Sequence, residues 1–108
     1  MELYEMYIQE REGAKLYYDD KSFFSYVIEA PYFQVKDLFV HPDYRRERVG
    51  IELGKKIEQL AKEYNCSTVY CTSCIEATNW QDSHLFILAN GYRETGRGGT
   101  IVYYKKEI

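Results

Sequence analysis

The chain has 108 residues, a net charge of −3, 45% hydrophobic residues and 17% aromatic residues. This length suits one domain with a single core over residues 1–108, and the composition excludes a disordered chain. The negative charge gives no reason to expect nucleic acid as a partner, and the longest apolar run, Leu85–Ala89, is too short for a membrane span. With no signal peptide recognisable and an odd count of three cysteines, we expect reduced thiols and a cytoplasmic protein.

The first third of the chain is predicted to consist of strands and turns. Leu3–Gln9 alternates in side-chain character, which predicts an edge strand and leaves open whether a second copy covers it in a homodimer. Gly13 marks a turn, and Leu16–Asp19 and Ser22–Glu29 are predicted to form a hairpin. We therefore expect no room for a pair of helices in the first 34 residues.

A strand, a loop and a helix are predicted next, over Val35–Val40, His41–Arg46 and about Glu47 to Tyr64. Pro42 closes the strand because proline cannot donate to a ladder. The helix has one apolar stripe at the helical period, made of Val49, Leu53, Ile57, Leu60 and Tyr64.

The start of this helix lacks the Ser, Thr, Asp or Asn that usually caps a first turn. Instead, Arg45, Arg46 and Arg48 precede Gly50. Uncapped N–H groups at the positive end of a helix dipole bind anions, and Gly50 would allow a ligand or a neighbouring backbone to approach. The turn is thus either a phosphate site or a solvated charged loop.

The strand before the helix changes phase along its length. Phe33 and Val35 are apolar in one phase of the alternation, and Leu38 and Val40 in the other. A β-bulge would explain this change, and so would a strand that is buried on both faces.

The second half is predicted to contain a strand at Thr68–Ser73, which forms a parallel crossover with the earlier strand, and a helix at Trp80–Asn90. Arg93–Thr95 and Thr100–Lys106 complete a hairpin, so the glycines between them are a turn rather than a phosphate loop. Cys71-x-x-Cys74 has no second ligand pair, which favours packing over a metal site.

Residues 38–53 resemble the core motif of the GCN5-related N-acetyltransferases, a strand followed by V-x-P-x-x-R/Q-x-x-G-x-G/A and a helix. Arg45 matches the R/Q position and Gly50 the second glycine, whereas Arg48 replaces the first glycine. Asn79–Tyr92 is similar to the family's second motif, a helix with an early Asn and a closing Gly-Phe or Gly-Tyr.

The resemblance implies an α/β fold (α+β by some schemes) with a mixed, mostly antiparallel sheet, a central β-α-β crossover and helices packed on it. It also implies transfer of an acetyl group from acetyl-coenzyme A to an amine of a protein or small molecule, by direct attack in a ternary complex and without a metal. By the same resemblance, the cofactor would contact Leu38, Phe39, Val40, Arg45, Arg46, Glu47, Arg48, Val49, Gly50 and Asn79.

Two proton-transfer roles remain to be assigned. Ile87 stands where many family members place a catalytic tyrosine, so Tyr92 is the candidate acid, with Tyr103 and Ser73 as alternatives. Asp37 is the candidate base, and the competing interpretation is that it is a solvated strand residue without a catalytic role. Glu29 on the neighbouring strand could serve as the base instead. His41 precedes proline in a loop where the family often carries a His without a catalytic role, and His84 is predicted to lie on a helix, so neither is assigned a role.

A family member that has lost catalysis and binds a partner protein is the alternative. Arg48, Ile87 and the short N-terminal half support it, and side chains that plug the gap between the two parallel strands would favour it. If the protein is an enzyme, the short N-terminal half implies an open cleft, which suits a protein amine better than an enclosed small molecule.

Overall fold

The computed structural model describes residues 2–45 and 48–108. The described elements, in chain order, are α1 (Glu2–Glu12), β1 (Lys15–Tyr18), β2 (Ser22–Glu29), β3 (Tyr32–Val40), a 3-10 turn (Pro42–Tyr44), α2 (Val49–Glu63), β4 (Thr68–Cys74), α3 (Trp80–Ala89), β5 (Arg93–Gly98) and β6 (Ile101–Glu107). None of the helices in these two segments is long and apolar enough to cross a membrane.

The strands form one sheet in the order β1-β2-β3-β4-β6-β5. β3 and β4 are parallel and are joined through α2, whereas the other neighbouring pairs are antiparallel. The predicted fold class, a mixed, mostly antiparallel sheet with a central β-α-β crossover, is therefore confirmed.

The main core lies between α2 and one face of the sheet. Leu53 and Ile57 of α2 are buried against Phe24, Phe33 and Val69 of the central strands. α3 covers the same face, because His84 bonds to Tyr104, which stands opposite Cys71 in the β4–β6 ladder. We call this side the α2–α3 face.

The other side of the sheet carries α1, and we call it the α1 face. The ring of Tyr4 lies 6.4 Å from that of Phe23, which alternates with the core residue Phe24 along β2. Val27, Gln34, Thr72 and Tyr103 point to this side by the same alternation and register.

The prediction of an edge strand over Leu3–Gln9 is wrong, because this segment lies within α1. Its alternation was a coincidence in a segment rich in Glu, which is a good helix former. The spacing that matters is four residues, from the half-buried Tyr4 to the buried Ile8. Gly13, at φ +66°, follows the helix as its terminator. The first 34 residues are therefore not strands and turns alone, although they contain one helix rather than a pair. The question whether a second copy covers an edge strand at Leu3–Gln9 does not arise.

The other predicted elements are present with shifted ends. β3 begins three residues earlier than expected, at Tyr32, and α2 is described from Val49. β5 extends through Gly98, so the tight turn of the last hairpin contains only Gly99, at φ +59°, and Thr100.

The phase change in β3 is a β-bulge. Ser25 pairs with Asp37 and the next residue, Tyr26, pairs with Val35, which leaves Lys36 as the extra residue of β3. Just before this bulge the parallel pairing with β4 ends, at Gln34 and Tyr70. Beyond it the two strands separate. We call the space between residues 37–40 of β3 and 71–74 of β4 the gap.

Candidate active site

The β3 side of the gap carries backbone groups that are free of the β2 ladder. The N–H of His41 donates to the carbonyl of Lys21 over 2.7 Å, so His41 faces β2. Backbone groups alternate in direction along a strand, so those of Val40 and Leu38 face the gap, and those of Phe39 face β2. Of the three strand residues assigned to the cofactor, Leu38 and Val40 thus present N–H groups to the gap.

Arg45 ties the loop after β3 to this wall. Its Nε donates to the carbonyl of Val40 over 3.1 Å, and its guanidinium lies 5.2 Å from the ring centre of Phe39. These contacts hold the arginine at the end of the gap and, as far as the described residues are concerned, leave its terminal nitrogens for another acceptor. Arg46 and Glu47, which were also assigned to the cofactor, lie outside the described residues.

The start of α2 has the uncapped character predicted from the sequence. Arg48 is the N-cap residue, and its side chain makes no capping hydrogen bond in the described structure. Arg48 and Val49 also line a groove of about 540 Å³ between α2 and the β1–β2 hairpin. This groove lies on the side of α2 away from β4, so we do not assign it to the cofactor.

Gly50 serves the contact between two helices. A Cβ atom at Gly50 would collide with Cε2 of Phe86, and one at Gly54 would collide with the amide oxygen of Asn90. These two contacts advance in the same direction along both helices, so α2 and α3 run parallel. Because each helix follows a parallel strand, both N-termini lie at the open end of the gap, where their dipoles favour an anion.

Asn79 precedes α3 and is exposed. It adopts the left-handed conformation, with φ 61°, and its carbonyl accepts hydrogen bonds from the N–H groups of Asp82 and Ser83. Its side chain makes no capping bond within the described structure. The assigned cofactor contact of Asn79 stays a prediction, at a position close to the open end of the gap.

Asp37, the candidate base, lies on the α1 face beyond the bulge. Its N–H donates to Oγ of the buried Ser25 over 3.1 Å, and that hydroxyl lies 3.4 Å from the Asp37 carboxylate. Burial raises the pKa of Tyr4, and the nearby Asp37 charge raises it further. The carboxylate is therefore exposed but oriented, beside the gap and below the start of α1.

Tyr92, the candidate acid, lies on the α2–α3 face and packs against the core. Burial raises its pKa, with smaller contributions from Cys71 and Glu58, so the phenol keeps its proton at neutral pH. Cys71 is the first residue of β4 beyond its pairing with β3. Tyr92 is thus close to the closed end of the gap, on the opposite side of the sheet from Asp37.

Sequence reasoning missed a hydrogen-bonded cluster beneath α3. Tyr104 is fully buried, and its hydroxyl lies 2.8 Å from Oγ of Ser73 and 2.7 Å from Nδ1 of His84. Nε1 of Trp80 donates to the same serine over 2.9 Å, and the indole stacks on His84 with ring centres 4.9 Å apart. Trp80 and His84 are four residues apart on α3, but no local signal links them to Ser73 and Tyr104, which the β4–β6 register brings together.

A cavity of about 280 Å³ opens at the closed end of the gap. It is lined by Val27, Glu29, Tyr32, Gln34, Tyr70, Cys71, Thr72, Tyr103 and Tyr104. Most of these residues belong to the α1 face, and Gln34 and Tyr70 form the last parallel pair before the strands separate. Within residues 2–45 and 48–108, no group of three His, Cys, Asp or Glu side chains could hold a metal ion.

Residues 5–98 match the family model described as the acetyltransferase (GNAT) family. The chain belongs to this family. It is 32% identical over 79 residues to an aminoglycoside N(6')-acetyltransferase type 1 of Acinetobacter baumannii, and 30% identical to one of Acinetobacter genomosp. 13. Each alignment covers 73% of this chain and 50% of the relative, so the chain spans about half the length of these curated relatives.

Solved GNAT structures share the fold at low sequence identity. The PaiA N-acetyltransferase of Thermoplasma acidophilum, in complex with coenzyme A, superposes with a TM-score of 0.78 at 16% identity, covering 98% of this chain and 69% of that one. A Bacillus subtilis acetyltransferase in complex with coenzyme A gives 0.68 at 11% identity, with 96% and 84% covered. These likenesses concern the fold alone.

Proposed function

We propose that this chain is an N-acetyltransferase that transfers the acetyl group of acetyl-coenzyme A directly to an amine. One observation carries the proposal: the parallel strands β3 and β4 separate just where the bulge occurs, and the family's motif lies at the open end. The coenzyme A complexes of relatives with this fold support the choice of cofactor.

The residues around the gap suit a long, bent cofactor with an anionic end. The peptide groups of Leu38 and Val40 would bind the amides of a pantetheine arm, as an added strand would. The uncapped start of α2 and the guanidinium of Arg45 would hold the pyrophosphate, since both favour negative charge. Acetyl-coenzyme A supplies the thioester, and this chain supplies the site that orients it.

Three steps of acyl transfer can then be assigned. Asp37 would accept the proton of the attacking amine through a water molecule. The N–H of Leu38 would stabilise the oxyanion, because it points into the gap nearer to the closed end than Val40. Tyr92 would donate a proton to the departing thiolate, with its phenol protonated at neutral pH.

The competing proposal is a GNAT-fold module that binds a partner without catalysis. Large side chains in the gap would favour it, whereas the contacts of α3 are made elsewhere: Trp80 and His84 pack over Ser73 and Tyr104, on the side of β4 that faces β6. The cavity at the closed end of the gap also favours an enzyme.

The acceptor is proposed to be the amine of a small molecule. The aminoglycoside acetyltransferases named above support this choice over a protein amine, because they are the relatives with the higher identity. A cytoplasmic location fits both acetyl-coenzyme A and the free cysteines, and it stays a prediction, as does a homodimer.

Calorimetric titration with acetyl-coenzyme A, followed by an assay of thiol release with amines, tests the proposal. We expect micromolar binding, and we expect Arg45→Gln to weaken it about tenfold, the value of one charge-assisted hydrogen bond. Arg93→Gln is the matched control, because Arg93 is exposed on β5 and faces Glu107. A folded protein that binds no acetyl-coenzyme A would refute the proposed function.

A further inference from the structure

We propose that the acceptor is a molecule with at least two cationic amino groups, and that the cavity on the α1 face holds the second cation against Glu29. The inference rests on the proposed function and names the substrate class of the same site. Its basis is the arrangement of two carboxylates and three tyrosines along one face of the sheet.

The two carboxylates lie on the same face, on opposite sides of the bulge. Asp37 stands opposite Ser25, and Glu29 lies four residues further along the same strand as Ser25, in the same phase. Four residues of a strand span about 13 Å at roughly 3.3 Å per residue. An amine that reacts beside Asp37 therefore has a second anionic site at about that distance.

The surroundings of Glu29 suit a cation. Glu29 lines the cavity together with Tyr32, Tyr70 and Tyr103. The rings of Tyr32 and Tyr70 meet edge to face at 5.5 Å, and Tyr32 and Tyr103 remain about half exposed, so ring faces are accessible from the cavity. Aromatic faces beside a carboxylate bind ammonium groups by cation–π attraction and by charge.

The nearby basic side chain does not neutralise this site. Lys105 stands opposite Tyr70 in the β4–β6 ladder, and its ammonium lies 3.4 Å from the carboxylate of Glu107. Within the described parts of the chain, Glu29 forms no salt bridge with a basic residue. The negative charge of Glu29 is therefore available to a ligand.

The test compares octylamine with octane diamine, which have equal length and differ by one positive charge, and adds a shorter diamine and an amino sugar. Steady-state acetylation would be measured with octylamine, octane diamine with an amino group at each end, propane diamine and an aminoglycoside. We expect octane diamine to have a lower KM than octylamine or propane diamine, since only the long diamine reaches both carboxylates. Glu29→Gln should raise the KM for octane diamine about fivefold, equivalent to one partly exposed ion pair of about 1 kcal/mol.

The controls separate this inference from the proposed function. Glu29→Gln should raise the KM for octane diamine more than the KM for octylamine and leave the affinity for acetyl-coenzyme A unchanged, and Glu63→Gln, at the exposed end of α2, should change no KM. The measurement with the aminoglycoside distinguishes an amino sugar from a linear polyamine as the acceptor. The acceptor class is the one whose KM rises when Glu29 is replaced by Gln. Equal KM values for octylamine and octane diamine, or an aminoglycoside and a diamine both unaffected by Glu29→Gln, would overturn the inference while acetyl transfer persists. Absence of any transfer, with no binding of acetyl-coenzyme A, would overturn the proposed function itself.

Discussion

Gly50 of α2 lies so close to the ring of Phe86 of α3 that position 50 has no room for a methyl group. This contact, with the similar one between Gly54 and Asn90, sets the distance between the two helices. It also places both helix N-termini at the open end of the gap. A glycine that the motif associates with a ligand thus first positions the helices that form the site.

Replacing Gly50 with alanine should therefore destabilise the protein. Alanine gains about 1 kcal/mol of helix propensity over glycine, but overpacking against Phe86 costs about 1–3 kcal/mol. We expect a net loss in the free energy of unfolding, measured by urea denaturation. The additional change Phe86→Leu should recover part of the loss, because it removes the colliding ring atom.

Gly96→Ala provides the control, since a Cβ at Gly96 meets no atom within 4 Å. That variant should lie within about 0.5 kcal/mol of the parent, as expected for a surface change. A Gly50→Ala protein as stable as the parent would show that the helices shift apart freely, and would remove the argument for a fixed gap.

The ion pair of Lys106 and Glu58 connects β6 to α2. Both side chains are only 27% exposed, their charged atoms are 2.6 Å apart, and the same ammonium donates to the carbonyl of Asn90 at the end of α3. Lys106→Met should lower the free energy of unfolding by about 2 kcal/mol, because it leaves Glu58 partly buried and the carbonyl without its donor.

Lys55 supplies the comparison for this prediction. It forms a pair with Glu52 at 3.8 Å, in which both side chains are more than 60% exposed. Lys55→Met should change stability by less than about 0.5 kcal/mol, as exposed pairs usually contribute little. Equal effects of the two substitutions in chemical denaturation would contradict a structural role for Lys106.

Removing the hydroxyl of Tyr104 should loosen the start of α3. Tyr104→Phe leaves Ser73 and His84 without their shared partner, at a cost of about 1–3 kcal/mol for buried polar groups. Hydrogen exchange at the amides of residues 80–84 should become faster, because that turn is held to β4 and β6 through these bonds. Tyr103→Phe, whose side chain is 46% exposed, should alter neither quantity.

The sequence alone was sufficient to predict the elements with a strong hydrophobic pattern. It was insufficient to predict contacts between strands that are far apart in the chain. The stripe of α2 predicted a helix, and the phase change of β3 allowed a bulge as one of two explanations, because each pattern reflects burial within one element. α1 was mistaken for a strand because its short alternating pattern outweighed the four-residue step from Tyr4 to Ile8.

The site shows the same division between local and distant information. The uncapped start of α2 could be predicted from residues 45–50 alone. The contact of Gly50 with Phe86 could not, since it depends on the path of α3 across the sheet. Likewise, no local pattern around His84 indicates its partner, because Tyr104 lies 20 residues later on β6.

Asp37→Asn should reduce turnover while leaving the cofactor in place. The carboxamide cannot accept a proton, and the loss of a general base typically lowers kcat by about 100-fold or more. The affinity for acetyl-coenzyme A, measured by calorimetry, should not change, because Asp37 lies on the α1 face. Ser25→Ala should lower kcat less, since it removes only the hydroxyl that orients the carboxylate. Unchanged kcat in Asp37→Asn would exclude Asp37 as the base.

The stability of the protein should fall at alkaline pH because of Cys71. Burial raises the pKa of this thiol from its ordinary value of 9.0 to about 12, so above pH 9 the folded state binds more protons than the unfolded state. Its contribution to stability is therefore complete below pH 9 and is lost as the pH rises through about 12. Tyr26, whose pKa burial raises to about 12, acts in the same direction.

The slope of stability against pH isolates this contribution. Between pH 9 and pH 11 one such group changes the free energy of unfolding by up to about 1.4 kcal/mol per pH unit. Cys71→Ala should reduce the slope measured by urea denaturation over that range, whatever its effect on stability at pH 7. Identical slopes in the two proteins would mean that the thiol ionises in the folded state, and that the closed end of the gap admits water to Cys71.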